Sequence, residues 1–199
     1  MTGNLWVPDD LPRYSVVVED PAWPERGGGG RGAQEHYPLM STDEICALPV
    51  RDCLAEDVHY WLWTTNRFLP DALRVLAARN CCYKTLFVWY KSTSAESRPQ
   101  VGLGQYARGS HELLLFGTRG RPALPAPAVR PSTVIVAPRG PHSAKPEAAW
   151  QVIEAVSSGR NGLRLELNAR QARPGWTAIG HESSGTTIEQ FLQPYRWLG

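Results

Sequence analysis

Cysteine is scarce in this 199-residue chain, and the four present (Cys46, Cys53, Cys81 and Cys82) follow no zinc-finger spacing. Adjacent Cys81 and Cys82 suit neither a shared metal nor a disulfide, so buried reduced thiols are the expectation. Five scattered histidines form no legible cluster, and no metal site is expected. No apolar run is long enough to cross a bilayer. The start Met1-Thr2-Gly3-Asn4 has neither the charged nor the apolar region of a secretory leader, so the chain reads as cytoplasmic with no membrane partner. A Gly-x-Ser-x-Gly elbow is missing, which argues against a serine hydrolase. The run Gly27-Gly28-Gly29-Gly30-Arg31-Gly32 has no Lys-Ser or Lys-Thr after it and opens no helix. It is neither a phosphate-binding Walker loop nor a dinucleotide turn, and reads as a lid or a surface insert.

What is present is an ordinary globular composition, 42% hydrophobic and 20% charged, enough for one domain with its own core. The net charge of +2 conceals an uneven distribution. Residues 1–60 carry four arginines against eleven acids, whereas residues 91–142 carry seven basic residues against two acids. A basic middle suits a phosphate backbone. Apolar, β-rich runs predict strands near 15–19, 57–64, 84–91, 111–118, 132–137, 163–168 and 175–180. Helices are predicted near 41–48, 67–79 and 145–157, the first with a Ser41/Glu44 capping box and the last with Pro146 in its first turn. Alternating strands and helices predict an α/β fold with a mostly parallel twisted sheet between helices. Long irregular segments at 24–37, 92–110 and 119–131 are where substrate is expected to meet the protein. The second offers Arg98, Tyr106 and Arg108, and the proline-rich third offers Arg119 and Arg121.

The segment Ser15-Val16-Val17-Val18-Glu19-Asp20-Pro21-Ala22-Trp23 carries the chemistry. Its valines predict a strand buried on both faces, which Pro21 ends. Asp20 is thereby placed at a strand's carboxyl end, where ligands of open α/β sheets bind. The exocyclic amine of a nucleobase is a poor nucleophile because its lone pair is delocalised into the ring. The Asp20 carboxylate and the Pro21 carbonyl are fixed acceptors for its two N–H groups, and Trp23 is a stacking surface for a flipped base.

Asp20-Pro21-Ala22-Trp23 resembles the Asp-Pro-Pro-Trp signature of the MT-A70 family of adenine-N6 methyltransferases. Further segments resemble the family in order: Tyr37-Pro38-Leu39-Met40-Ser41, Trp61-Leu62-Trp63-Thr64, Val88-Trp89-Tyr90-Lys91, His111-Glu112-Leu113-Leu114, Ser143-Ala144-Lys145-Pro146, Leu165 to Arg170, and Gly175-Trp176 with Gly180. The resemblance implies a Rossmann-like methyltransferase domain over residues 15–182, after an N-terminal segment 1–14 and before a C-terminal tail 183–199. It implies S-adenosylmethionine as methyl donor, with Lys145 at its carboxylate and Asp20, Glu166, Arg170, His181 and Glu182 around it. Tyr37, Lys91 and Glu112 fall on the substrate side, and Asp20, Pro21, Ala22 and Trp23 form the catalytic segment. Nucleic acid is the implied partner, DNA ahead of RNA, with little sequence specificity; a homodimer or heterodimer is compatible. A silent nucleic-acid-binding relative is the second reading. Ala22 in place of proline, Gln171 in place of the eukaryotic histidine, and His181-Glu182 in place of Asn-Gln depart from the family's pattern.

Overall fold

Val16, Val17 and Val18 are buried on both sides, Val17 in one apolar core and Val16 and Val18 in the other. A strand so enclosed must be central to a sheet that is covered on both faces. The computed structural model describes residues 10–24, 39–93, 98–102, 106–140, 144–159 and 162–196. In chain order its elements are β1 (Tyr14–Glu19), α1 (Thr42–Ala47), β2 (Leu54–Thr64), α2 (Leu69–Ala78), β3 (Cys82–Ser92), β4 (His111–Arg119), β5 (Val134–Pro138), α3 (Glu147–Ser157), β6 (Leu163–Leu167), β7 (Thr177–Ile179) and α4 (Ile188–Leu192). Short 3-10 turns join several of them. The strands form one sheet in the order β5-β3-β4-β2-β1-β6-β7.

The sheet is mixed. β1 pairs in parallel with β2 and β6, β3 with β5, and β6 with β7. β4 runs antiparallel to both β2 and β3. No helix lies among the described residues between β3 and β4, and a return without a crossover element gives antiparallel pairing. The consequence for function is direct. Reversed β4 brings its first residues, His111 and Glu112, to the edge where the other six strands end.

Helix α1 starts as its sequence predicts: Ser41 Oγ accepts from the Glu44 amide at 3.2 Å, and the Glu44 carboxylate accepts from the Ser41 amide at 2.7 Å. Helix α2 packs against β2, β3 and β4 on the Val17 face, and α3 packs beside β5 on the other. The second core is aromatic, with Trp61, Trp63, Trp89, Trp150 and Trp176 among its buried members. Ile188, Leu192 and Tyr195 are buried in the first core, so the chain beyond residue 182 packs against the sheet. Its signal is a second capping box, Thr187 with Gln190, which sequence reading missed.

At the end of β1, Glu19 is buried with Arg79, which follows α2. Arg79 Nη2 donates to Glu19 Oε1 at 2.9 Å, and the Tyr60 hydroxyl donates to Glu19 Oε2 at 2.5 Å. The guanidinium also donates to the carbonyls of Ile45 and Leu48, at 2.9 and 3.1 Å. One buried cation thus closes the end of α1, which lacks a basic residue in its last turn. Burial and the neighbouring Glu19 charge push the Tyr60 pKa well above its usual value.

Candidate active site

Six strands finish and β4 begins at one edge of the sheet, so seven backbone segments deliver side chains to a single rim. Asp20 leaves β1, its amide donating to the Leu167 carbonyl at 3.3 Å. Lys145 approaches from just before α3 and bridges two acids, with Nζ 3.0 Å from Asp20 Oδ2 and 3.0 Å from Glu112 Oε2. Lys91, at the end of β3, sits 2.5 Å from Glu112 Oε1. The chain Asp20–Lys145–Glu112–Lys91 therefore alternates in sign. Both lysines also stand over indole rings, Lys145 5.0 Å from the Trp63 centroid and Lys91 5.0 Å from that of Trp89.

Burial raises the Asp20 pKa; Lys145 opposes that shift and adjacent Glu112 adds to it. Burial pulls Lys145 the other way, but Asp20 and Glu112 outweigh it and leave its pKa raised. Glu112 meets the same burial penalty, yet its two lysines hold its pKa below the usual value. Glu166, on β6, has no such support. Burial raises its pKa to about 7, against a smaller lowering by Arg173.

Two cavities meet at Asp20. The larger, about 420 Å³, has apolar walls from Leu39, Met40 and Ile188 and polar ones from Asn168, Arg170, His181 and Glu182. The smaller, about 100 Å³, is bounded by Trp63, Trp150, Lys145, Glu166, Arg170 and Arg173. Asp20, Asn168 and Arg170 line both. Asn168 turns the chain sharply after β6 at φ 60°, a left-handed conformation that asparagine tolerates better than most residues. The Ala169 amide then donates to the Ile179 carbonyl at 2.9 Å, and a side chain at Gly180 would strike the Ala169 backbone. That close approach sets the loops carrying Arg170 and His181-Glu182 against each other.

The structure brings Asp20, Pro21, Ala22, Lys145, Glu166, Arg170, His181, Glu182, Lys91 and Glu112 to this edge. Trp23 is there too, stacked on Phe68 at 5.6 Å and donating its indole N–H to the Trp63 carbonyl at 3.1 Å. The Pro21 carbonyl accepts the Trp23 amide at 2.8 Å, which leaves it one further lone pair. Arg98, Tyr106 and Arg108 are exposed in the connection that leaves and re-enters the sheet on this side. Arg119 and Arg121 are not brought in. They lie at and just beyond the opposite end of β4, roughly 27 Å away for nine extended residues. There the Arg119 side chain donates to the Arg51 carbonyl and the Arg121 amide to Asp57. Proximity in sequence to the basic middle had suggested a shared face, which the reversed strand divides. Tyr37 lies outside the described residues. Sequence reading missed Asn168, Met40 and Trp63 as site residues; asparagine directly after a strand was the available signal for the first.

An α/β sheet with two cavities beside a chain of alternating charges at its strand ends is a ligand-binding architecture, and sequence comparison narrows it. The MT-A70 family model matches residues 14–182, and the chain belongs to that family. It is 28% identical over 202 residues to the type II methyltransferase M.MunI of Mycoplasma sp, covering 90% of this chain and 82% of that protein. It is 26% identical over 181 residues to a probable N(6)-adenosine-methyltransferase MT-A70-like protein of Oryza sativa subsp. japonica, covering 90% of this chain and 24% of that one. With the human N(6)-adenosine-methyltransferase catalytic subunit METTL3 it shares 24% over 192 residues, 32% of that protein. The chain thus spans only about a quarter to a third of these two relatives.

Methyltransferases of this family take their methyl group from S-adenosylmethionine. The residues present fit such a donor. The small cavity carries charges of both signs, as an amino-acid end requires, and the larger one offers apolar walls beside polar groups suited to a nucleoside.

Proposed function

We propose that this chain methylates the N6 amine of adenine in DNA with low sequence specificity, on a Rossmann-like methyltransferase scaffold. The observation that carries the reading is the position of Asp20: it borders both cavities and is held 3.0 Å from Lys145. The likeness to M.MunI over most of its length favours DNA as the substrate.

Bound S-adenosylmethionine supplies an electrophilic methyl group. Asp20 and the remaining lone pair of the Pro21 carbonyl each accept one N–H of the adenine amine, drawing its nitrogen toward a tetrahedral form whose lone pair leaves the ring. Acceptors fixed before reaction are worth roughly 10²–10³ in rate. Lys145 steadies the Asp20 carboxylate, and Glu112, anchored by Lys91, steadies Lys145. Trp23 offers the face not covered by Phe68 to the flipped base, a contact of about 1–3 kcal/mol. Arg170 and Glu182 hold ribose hydroxyls, His181 flanks them, and Glu166 lies beside the amino-acid end. Arg98 and Arg108 meet phosphates, which position the strand without reading it.

The test is transfer of a labelled methyl group to matched DNA and RNA oligonucleotides, followed by nucleoside analysis. N6-methyladenine in the DNA is the expected product. Label in RNA alone would overturn the choice of DNA, and label in neither would overturn the proposed activity.

A further inference from the structure

Among the described residues, four tryptophans place their indole N–H on an acceptor: Trp23 on the Trp63 carbonyl, Trp61 on Ser157, Trp89 on the Ala137 carbonyl and Trp176 on Glu154. Trp63 does not. It is 1% exposed, and its Nε1 is buried with no acceptor among the described residues. A buried donor left unmet is costly, so such a group calls for a partner that arrives with a ligand. Trp63 also lines the small cavity.

The chemistry of that cavity narrows what the partner is. An N–H needs an available lone pair: an ammonium has none, and the lone pair of a cationic sulfonium is too weakly basic to satisfy it. Lys145, Arg170 and Arg173 line the cavity with positive charge, opposite Asp20 and Glu166. That two-sign lining suits a compact zwitterion, whose carboxylate belongs with the donors. Resting on the function proposed above, we propose that Trp63 is a ligand-binding residue whose indole N–H donates to the carboxylate at the amino-acid end of the methyl donor. Trp63 does this from beneath Lys145, whose ammonium already stands over its ring. The carboxylate then receives one neutral and one charged donor, and the sheet's aromatic core contributes directly to ligand choice.

The experiment compares Trp63→Phe with the wild type by calorimetric titration of two probes. S-adenosylhomocysteine keeps the amino-acid end; 5′-deoxy-5′-methylthioadenosine has the same thioether nucleoside without it. Affinity for the first should fall about tenfold in Trp63→Phe, equivalent to about 1.4 kcal/mol. Affinity for the second should stay within about twofold. An unchanged affinity for both, or an equal loss for both, would overturn the inference while leaving the proposed function standing. A wild type that binds neither probe would overturn that function and the inference together. Should the variant not fold, indole ¹⁵N–¹H spectra of the wild type decide the matter. The Trp63 resonance, assigned through its contacts with Trp89, whose ring centroid is 6.2 Å away, should move downfield with S-adenosylhomocysteine and stay put with methylthioadenosine. No movement, or equal movement with both, would overturn the assignment.

Discussion

Glu19 and Asp20 are neighbouring acids at the end of one strand, each facing a basic side chain at about 3 Å, yet they do opposite work. Glu19 is 1% exposed at its side chain and its partner Arg79 is fully buried. Every contact of that cluster returns to the protein: to Tyr60, and to the carbonyls that end α1. Asp20 is 31% exposed at its side chain, faces two cavities, and shares Lys145 with Glu112. Strand alternation sends the two side chains to different sides, one into the first core and the other to the rim. An ion pair closed on itself specifies a fold. One that shares its cation and borders empty space retains acceptor capacity for a substrate.

The largest expected effect separates the two pairs by stability. Arg79→Ala leaves Glu19 ionised and buried without its cation, and leaves helix-end carbonyls unmet, at a cost of about 3–5 kcal/mol. Urea unfolding measures it. A loss under about 1 kcal/mol would place Glu19–Arg79 with ordinary surface pairs and erase the contrast. Asp20→Asn should do the reverse. Methyl transfer falls by roughly 10²–10³, while unfolding free energy moves by no more than about 1 kcal/mol because Lys145 keeps Glu112. Full turnover in Asp20→Asn would remove Asp20 from the mechanism.

Glu166 sharpens the comparison with a third acid, half-buried at the same cavity as Asp20 and in no salt bridge among the described residues. Its pKa is about 7 in the fold, up from 4.5. The folded state therefore holds the proton more tightly, and its contribution to stability is complete below pH 4.5 and lost as pH rises through about 7. The shift corresponds to roughly 3 kcal/mol at most. Glu166→Gln should flatten the decline in unfolding free energy between pH 5 and 7.5 relative to wild type. An unchanged slope would mean that the Glu166 carboxyl is solvated.

Local pattern carried most of this architecture, because a doubly buried valine run, a capping box and β-rich segments each constrain their own backbone. Among the described residues, all seven strands and three of the four α-helices lie where periodicity places them. The reversed direction of β4 was not legible, since pairing depends on what happens between strands rather than within them. The same gap misplaced Arg119 and Arg121, which share a basic stretch with Arg98 and Arg108 but sit at the other end of β4. Lys145 was read from its local motif as an anion site; its bridge between Asp20 and Glu112 links residues 125 and 33 positions distant, which no local pattern reports. Arg79 was missed for the same reason, because its carboxylate partner is 60 residues earlier.

The smallest expected effect tests the backbone that aims the Pro21 carbonyl. Trp23 donates its amide to that carbonyl at 2.8 Å, which closes a three-residue turn around Ala22. Ala22 is not among the residues with positive φ, so the turn is the inverse γ form, with its central φ near −75°. Proline fixes φ near −65°, within the range this turn requires. Among the described residues no acceptor meets the Ala22 amide, and the Ala22 carbonyl, which accepts from the Met40 amide at 3.0 Å, survives the change. Ala22→Pro should therefore stabilise the protein by about 0.4–1 kcal/mol, chiefly by stiffening the unfolded chain, and should maintain or raise turnover. Thermal melts and initial rates on the purified variant measure both. A lower melting temperature together with lost methylation would show that the turn at Ala22 requires a φ that proline cannot adopt, and that this loop is not built as the family's is.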